Sequence, residues 1–302
     1  MTSNPFDLSV TKLHEHLLGA IAPRPIAFVT TIDKEGNVNL SPFSFFNVFG
    51  ANPPILVFSP ARSGKTGASK NTHDNVLEVP ECVVNIAHYD ILQQMNLAAG
   101  MYPKGVNEFE KSGLTAMPSD EVKPPRVAEC NASFECKVLN VLETGTSGGA
   151  GNLIVCKVVK IHIKDEVLDS EGSIDPTKMN YIARLGKQWW CRIGADNMFQ
   201  VPAFKMADAV GIGFDRLPIG FLQSTILTGN DLALLASVQE LPAASENIND
   251  EWKALLKELS KDFSQAAIRL HQFAKEKIAV GKIDEAWQVL LHAEKFRTSV
   301  NS

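Results

Sequence analysis

The chain has 302 residues and a formal net charge of −5, and 45% of its residues are hydrophobic. This composition supports a substantial core and excludes a largely disordered protein, while the acidic balance argues against nucleic acid as the main partner. No apolar run approaches the ~20 residues of a membrane span, and the first eight residues lack the basic and apolar segments of a secretory signal, so neither membrane insertion nor export is predicted.

Residues 1–205 are predicted to form one mainly β domain. Six runs rich in Val, Ile and Phe, bounded by Gly, Pro and Asn, predict strands at Ile26–Ile32, Val38–Phe43, Ile55–Phe58, Cys82–Ala87, Ala132–Leu142 and Leu153–Ile163. The last two strands flank a Gly-rich stretch at 145–151 and predict a long hairpin with a flexible tip. Short helices are predicted at His73–Val79 and Asp90–Ala99. Because regular helices do not separate the strands, an antiparallel closed or split barrel is favoured over a doubly wound parallel sheet.

Residues 206–302 are predicted to form a linker and a C-terminal α-helical extension. Asn230 or Asp231 is suited to cap a helix that runs through Leu241, and Asn249 or Asp250 is suited to cap the next one.

An apolar stripe at three- and four-residue spacing then runs from Trp252 to Ala274. Gly281 is predicted to end this helix and Asp284 to open the last one. The pattern indicates an αα-hairpin that packs on the barrel or on a partner subunit. The alternative is a fragment of helical repeat, because 281–293 has a tetratricopeptide-like cadence, but one unit does not establish an array.

The cysteines indicate neither a disulfide framework nor a zinc site, because their number is odd and no C-x-x-C occurs. The chain has five cysteines, Cys82, Cys130, Cys136, Cys156 and Cys191. Three of them, Cys82, Cys136 and Cys156, lie inside apolar strand-like runs and are expected to be buried and inert. The chain is expected to be cytoplasmic.

The segment Ser59–Thr66 nearly matches a nucleotide-triphosphate P-loop, but Ser59 stands where the first glycine belongs. The surrounding β pattern also lacks the parallel sheet and following helix that a P-loop needs. A plain polar loop remains an alternative. A loop that binds a cofactor phosphate is favoured, because this region supplies many suitable donors: Arg62, Lys65, Thr66, Lys70 and Thr72.

A second segment, Ser41–Asn47, places small hydroxyl side chains and three phenylalanines at the end of a strand. An isoalloxazine ring needs an apolar wall and backbone N–H groups near N5 and its carbonyl oxygens, and this segment offers both. The alternative is a set of core phenylalanines followed by an ordinary turn. Together with the phosphate-binding candidates, the segment predicts a site for flavin mononucleotide (FMN).

Protein-borne catalytic groups are hard to find in this chain. The close pair His14 and His16 does not face one way on a helix, so a metal site is not predicted. No Gly-x-Ser-x-Gly elbow occurs, and no acid–base pair can be singled out. This pattern favours chemistry supplied by a cofactor.

Several separated blocks, in the right order, resemble the flavin reductase-like family, also called the flavoredoxin or FMN-binding split-barrel family. The resemblance covers residues 20–200. Its blocks are Arg24–Thr31, Gly36–Asn47, Asn52–Ile55, Lys70–Thr72 with Asn75, Val83–Ile86, Asn107–Phe109 with Gly113–Thr115, and Tyr181–Gly186.

The resemblance implies a homodimeric, Greek-key antiparallel split β-barrel with FMN bound non-covalently near the dimer interface. It also implies a segment, Tyr181–Trp190, over the flavin or over the partner subunit's site. By the motif matches, the isoalloxazine would be held by Ser41, Pro42, Phe43, Ser44 and Asn47. The ribityl phosphate would be held by Ser59, Arg62, Lys70 and Thr72, with Asn85 lining the same site.

The chain departs from this family in two blocks. Gly151-Asn152-Leu153 stands where NADH-dependent members have Gly-Asp-His, and Trp189-Trp190 stands where related reductases often have Tyr. These changes bear on nicotinamide binding more than on flavin binding.

Three functions follow as hypotheses. The first is an FMN-dependent oxidoreductase that passes hydride or electrons through the flavin, with NADH or NADPH as candidate donor. The second is a non-catalytic FMN-binding electron carrier that reaches a redox partner protein through its C-terminal helices. The third is a helical interaction protein whose barrel is a scaffold.

Overall fold

The computed structural model describes residues 2–201, 211–245 and 263–300. The chain divides into two compact units, Met1–Phe199 and Gln200–Ser302. The boundary lies slightly before the one expected between residues 205 and 206.

The first unit is built on a seven-stranded antiparallel sheet in the order β2-β1-β5-β8-β9-β4-β3, with two small two-stranded ribbons beside it. The prediction of a mainly β antiparallel split barrel is confirmed. The strands are β1 Ala27–Ile32, β2 Val38–Phe43, β3 Phe46–Ala51, β4 Pro54–Phe58, β5 Glu81–Ile86, β6 Ala116–Met117, β7 Arg126–Val127, β8 Ala132–Glu143, β9 Asn152–Ile163, β10 Ile182–Arg184 and β11 Trp190–Arg192.

Helices occur in both units. Four lie in the first, α1 Val10–Ala20, α2 Asn71–Glu78, α3 Leu92–Ala98 and α4 Glu108–Ser112, and four in the described part of the second, α5 Ile219–Leu222, α6 Gly229–Leu235, α7 Phe263–Ala279 and α8 Ile283–Val300. Over the described residues, no helix combines the length and apolar character required to cross a membrane. The predicted C-terminal helices are present.

Strand β1 explains why the first unit has core on both sides of its sheet. All six of its residues are buried, and alternate side chains of a strand point to opposite faces. Phe28 joins a cluster with Leu40, Met95 and Phe109. Ala27 and Val29 join the other cluster, which also contains three of the cysteines expected to be buried, Cys82, Cys136 and Cys156. The pKa of Cys82 is raised by hydrogen bonds to Cys136 and Cys156 and by burial, so this thiol is inert.

The segment Ser41–Asn47, expected at the end of a strand, is divided between two strands. Residues 41–43 end β2, residues 46–51 form β3, and only Ser44 and Phe45 connect them. The chain continues as a strand because β3 finds a partner in β4, where Phe46 lies opposite Phe58.

The Gly-rich tip of the β8–β9 hairpin is held in place by backbone hydrogen bonds rather than left free. The Arg62 amide donates to the Ala150 carbonyl at 2.9 Å, and the Gly149 amide donates to the Arg62 carbonyl at 3.1 Å. A Cβ on Gly148 would stand 2.9 Å from the Ser63 carbonyl oxygen. Because only glycine permits this approach, the tip packs on the loop that follows β4.

The second unit has a core of its own. Trp287, Phe221 and Leu235 are at most 1% exposed and belong to one cluster. The cap of α6 differs from the prediction: Thr228 and Asp231 form a capping box, and the helix ends at Leu235 rather than Leu241. The predicted caps at 249 and 250 and the stripe before Phe263 lie outside the described residues.

Gly281 separates α7 from α8, as the sequence indicates. Its φ of +75° lies in the left-handed region that favours glycine. The two helices therefore form the predicted αα-hairpin.

Candidate functional site

A polar cavity of about 200 Å³ opens beside β2 in the first unit. It brings together three of the residues predicted from the sequence, Ser41, Lys70 and Thr72. We call it the anion cavity. Its other lining residues are Asn39, Ser69, Asn71, Gly100, Met101, Tyr102, Pro103 and Glu108.

The N-terminus of α2 opens into this cavity. Lys70 is the N-cap residue and makes no side-chain capping bond, while its carbonyl accepts from the amides of His73 and Asp74. The amides of Asn71 and Thr72 have no acceptor among the residues that the structure describes. Because unpaired amides and the helix dipole favour negative charge, this helix end is suited to bind an anion.

Side chains of the cavity reinforce this preference. Lys70 is half-buried, and within the described ranges its ammonium group has no carboxylate partner. Asn39 donates from Nδ2 to the Thr72 hydroxyl oxygen at 2.9 Å. That bond leaves the Thr72 hydroxyl proton available to donate elsewhere. A free cation, free amides and a free hydroxyl proton therefore line one cavity.

The cavity also contains a carboxyl group that sequence reasoning missed. Glu108 is only 3% exposed, and its Oε2 accepts from the Leu40 amide at 3.0 Å. Burial raises the pKa of this carboxyl, and the hydrogen bond from Leu40 opposes the rise. The signal that could have found it was the Asn107–Phe109 block, which was used for the resemblance but not for the site.

Ser59 and Arg62 lie in the loop after β4 and do not line the anion cavity. The Ser59 hydroxyl accepts from the Asn152 amide at 3.0 Å. The Arg62 guanidinium lies 3.5 Å from a Glu143 carboxylate oxygen, and its Nε–H is buried with no partner among the described residues. Both side chains thus face the β8–β9 hairpin, although the Arg62 Nε–H is not used by these contacts.

A histidine beneath this loop ties α2 to the hairpin. His73 is 3% exposed, with Nδ1 3.0 Å from Asp74 and Nε2 3.0 Å from Glu143. Glu143 is the carboxylate that also pairs with Arg62. This network fixes the start of α2, and with it the amides that open into the anion cavity.

The residues predicted to hold the isoalloxazine lie in different environments, and one of them, Ser41, lines the anion cavity. Phe43 is 8% exposed and stacks on Phe58 at 5.6 Å between ring centroids, so it belongs to the core. Pro42 and Ser44 are half-buried. Asn47 lines a second, mostly apolar cavity of about 280 Å³ together with other residues: Pro25, Ile26, Phe46, Val48, Leu56, Ile86, Ala87, Ala132, Phe134, Ile174, Met179, Tyr181 and Ile182.

Asn85 is placed in the core of the sheet rather than in either cavity. It is fully buried, and its Nδ2 donates to the Phe28 carbonyl at 2.9 Å and to Thr30 Oγ1 at 3.3 Å. Its Oδ1 accepts from the Val127 amide at 3.0 Å and from the Ser133 hydroxyl at 2.8 Å. These bonds use both donors and both acceptor positions of the amide, so none remains for a ligand.

One cluster has the composition of a metal site. Ligand atoms of Asp120, Glu135 and His162 lie within 4.8 Å of one another. Glu135 already accepts from the amides of Asp120, Glu121 and Val122 and lies 2.6 Å from His162 Nε2. These bonds anchor the loop before β7, so the cluster is explained by the fold.

Comparison with known proteins agrees with this architecture. The profile of the flavin reductase like domain matches residues 19–184. An uncharacterised protein of Halalkalibacterium halodurans is 37% identical over 196 residues, which cover 64% of this chain and 93% of that protein.

Two solved structures are similar to about two thirds of the chain. Component B of nitrilotriacetate monooxygenase from Bacillus cereus has a TM-score of 0.62 and 30% identity, covering 67% of this chain and 98% of its own. The 2-nitrobenzoate 2-nitroreductase of Pseudomonas fluorescens has a TM-score of 0.59 and 25% identity, covering 68% of this chain and 98% of its own. The domain match spans more than half of the chain. The chain therefore belongs to the flavin reductase-like family, and at that level it is a flavin-binding oxidoreductase.

Proposed function

We propose that this protein is an FMN-dependent oxidoreductase that binds its flavin non-covalently in the first unit. The observation that carries the proposal is the anion cavity, where the start of α2 and Lys70 offer unpaired donors inside a flavin reductase-like domain. A phosphomonoester is the anion that such a site fits, because amides and an ammonium group both favour its dianion.

FMN would supply the hydride or electron transfer itself. Lys70 and the amides of Asn71 and Thr72 would hold the phosphate. Pro42, Ser44 and Asn47 would face the ring system, with the apolar side chains near Phe46 limiting access of water. Ser59 and Arg62 would support this site indirectly, by holding the loop after β4 against the β8–β9 hairpin.

The experiment that tests the proposal is a visible spectrum of the protein with FMN, followed by anaerobic addition of NADH or NADPH. Bound flavin that bleaches quickly would identify a pyridine-nucleotide-dependent reductase. Flavin that stays yellow until dithionite is added would indicate an electron carrier or another donor. If the protein does not bind FMN, the proposal is wrong.

One observation favours the electron carrier as the second candidate. Asn152, which stands where the family has the Asp of Gly-Asp-His, is fully buried and donates from Nδ2 to the Pro60 carbonyl at 3.0 Å. Asn152 therefore stabilises the fold, and its burial keeps it from contact with a nicotinamide. In this candidate function, the helical unit would dock a redox partner protein, and the free state of all five cysteines fits a cytoplasmic location.

We also propose that the first unit pairs with a second copy of the chain. Strand β3 is at the edge of the sheet, and its Val48 and Phe49 are 63% and 67% exposed. Helix α1 has no buried residue, and Leu17 on it is 49% exposed. Pairing with a second copy would cover this exposed sheet edge and these apolar side chains.

Val48→Glu is expected to raise the dimer dissociation constant at least about tenfold, because a buried unpaired charge costs more than about 1.4 kcal/mol. Sedimentation equilibrium at several protein concentrations measures this change. Leu139→Glu, at a residue 56% exposed on β8, is the matched control and should leave the constant unchanged. A wild-type protein that is monomeric at all concentrations would contradict the proposal.

A further inference from the structure

The position of Glu108 is unusual for a site that binds an anion. Its carboxyl lines the same cavity as Lys70 and the start of α2, yet it carries the charge of the expected ligand. The Leu40 amide holds Oε2 at 3.0 Å, and no basic side chain of the described chain pairs with this carboxyl. Glu108 is thus fixed in place but not neutralised.

No other side chain in the described part of the chain forms an ion pair with the Glu108 carboxyl. Lys70 and Tyr102 are the other titratable side chains that line the cavity. Helix α3 and strand β2, which pack against α4, contain no ionisable side chain. On α4 itself, Glu110 and Lys111 are exposed.

A phosphate dianion and an ionised carboxylate repel each other strongly where burial weakens screening by solvent, and Glu108 is only 3% exposed. A neutral carboxyl, in contrast, has an O–H that can donate to a phosphate oxygen. Protonation of Glu108 therefore converts the one repulsive group in the cavity into a further donor, next to the helix amides and Lys70.

We propose that Glu108 binds the phosphate of FMN as a neutral carboxyl, so that one proton is taken from solution when the dianion enters the cavity. The inference rests on the proposed FMN site. No bond other than O–H is made, and no electron moves: a solvent proton joins the Glu108 carboxylate, whose O–H then donates to the phosphate. FMN binding weakens as the pH rises, because deprotonated Glu108 must first gain this proton.

Isothermal titration calorimetry of the full-length protein with FMN tests the proposal. Titrations in two buffers with different ionisation enthalpies, at about pH 7.5, count the protons taken up. At that pH free FMN is mostly a dianion, since the second pKa of a phosphomonoester is about 6. Wild-type protein should take up more protons with FMN than with riboflavin, which lacks the phosphate.

Glu108→Gln keeps an acceptor for the Leu40 amide and should take up nearly one proton less per FMN than wild type. It should also bind FMN about tenfold more tightly at this pH, and the advantage should vanish towards acidic pH, where wild-type Glu108 is already neutral. Glu110→Gln, on the exposed side of the same helix, should behave like wild type.

The outcomes separate this inference from the proposed function. If wild type and Glu108→Gln bind FMN with the same proton count and the same pH dependence, Glu108 does not act as we propose, whereas the FMN site stands. If FMN does not bind to any of the proteins, the proposed function itself is wrong. Where Glu108→Gln folds poorly, an equal proton count for FMN and riboflavin on wild-type protein would still contradict the proposal.

Discussion

Replacing Lys70 with alanine is expected to raise the dissociation constant for FMN about ten- to a hundredfold. A hydrogen bond to a charged group is worth roughly 1.5–3 kcal/mol, and about 1.4 kcal/mol changes an equilibrium constant tenfold. Lys70 is the basic side chain that lines the anion cavity, and its ammonium group has no carboxylate partner in the described part of the chain. The substitution therefore removes a cation that would bind the phosphate, and it breaks no ion pair within the described part of the protein.

Quenching of flavin fluorescence on binding gives the dissociation constants for this comparison. Lys65→Ala is the matched control, because Lys65 is an exposed lysine in the same region of the chain and does not line the cavity. It should alter FMN binding less than twofold. Riboflavin should bind Lys70→Ala and wild type equally; an equal loss for both flavins would mean that Lys70 supports the fold of the cavity rather than the phosphate.

The sequence predicts the strands well, because buried strands are rich in β-branched and aromatic residues and are bounded by turn residues. The prediction of Val38–Phe43 has the bounds of β2. Strand β3 is not predicted, because Gly50 and the exposed residues Val48 and Phe49 give no pattern of one buried face. Helix α1 is anticipated only around His14 and His16 and without bounds, since a helix that buries no residue has no tertiary signal to set its ends.

The candidate site is predictable only in its local part. Lys70 and Thr72 are neighbours on the chain, so the donors of the α2 N-terminus can be proposed together. Glu108 reaches the cavity through a contact with Leu40, 68 residues away, which no local pattern reports.

Arg62 illustrates the opposite error in predicting the site. Its chemistry suits a phosphate, but the hairpin tip and Glu143 orient it towards β8 and β9. The direction of a side chain depends on tertiary partners that residue type alone does not reveal.

Trp287→Ala is expected to destabilise the second unit by about 3–5 kcal/mol, which is a large part of the stability of a small domain. Trp287 is fully buried, its Nε1 donates to the Leu235 carbonyl at 3.0 Å, and its ring lies 5.1 Å from that of Phe221. Alanine would leave a cavity among α5, α6 and α8 and an unpaired carbonyl. Circular dichroism during thermal unfolding should show an early loss of helical signal.

The same variant asks whether the flavin site depends on the helical unit. Trp287 and its cluster belong to the second unit, whereas the anion cavity and its supporting core belong to the first. FMN affinity should therefore stay within twofold of wild type while the helical signal is lost. Trp189→Ala, at a tryptophan that is 71% exposed, is the control and should change neither the stability nor the helical signal by a measurable amount. Loss of FMN binding together with the helical signal would instead show that the helices complete the flavin-binding unit.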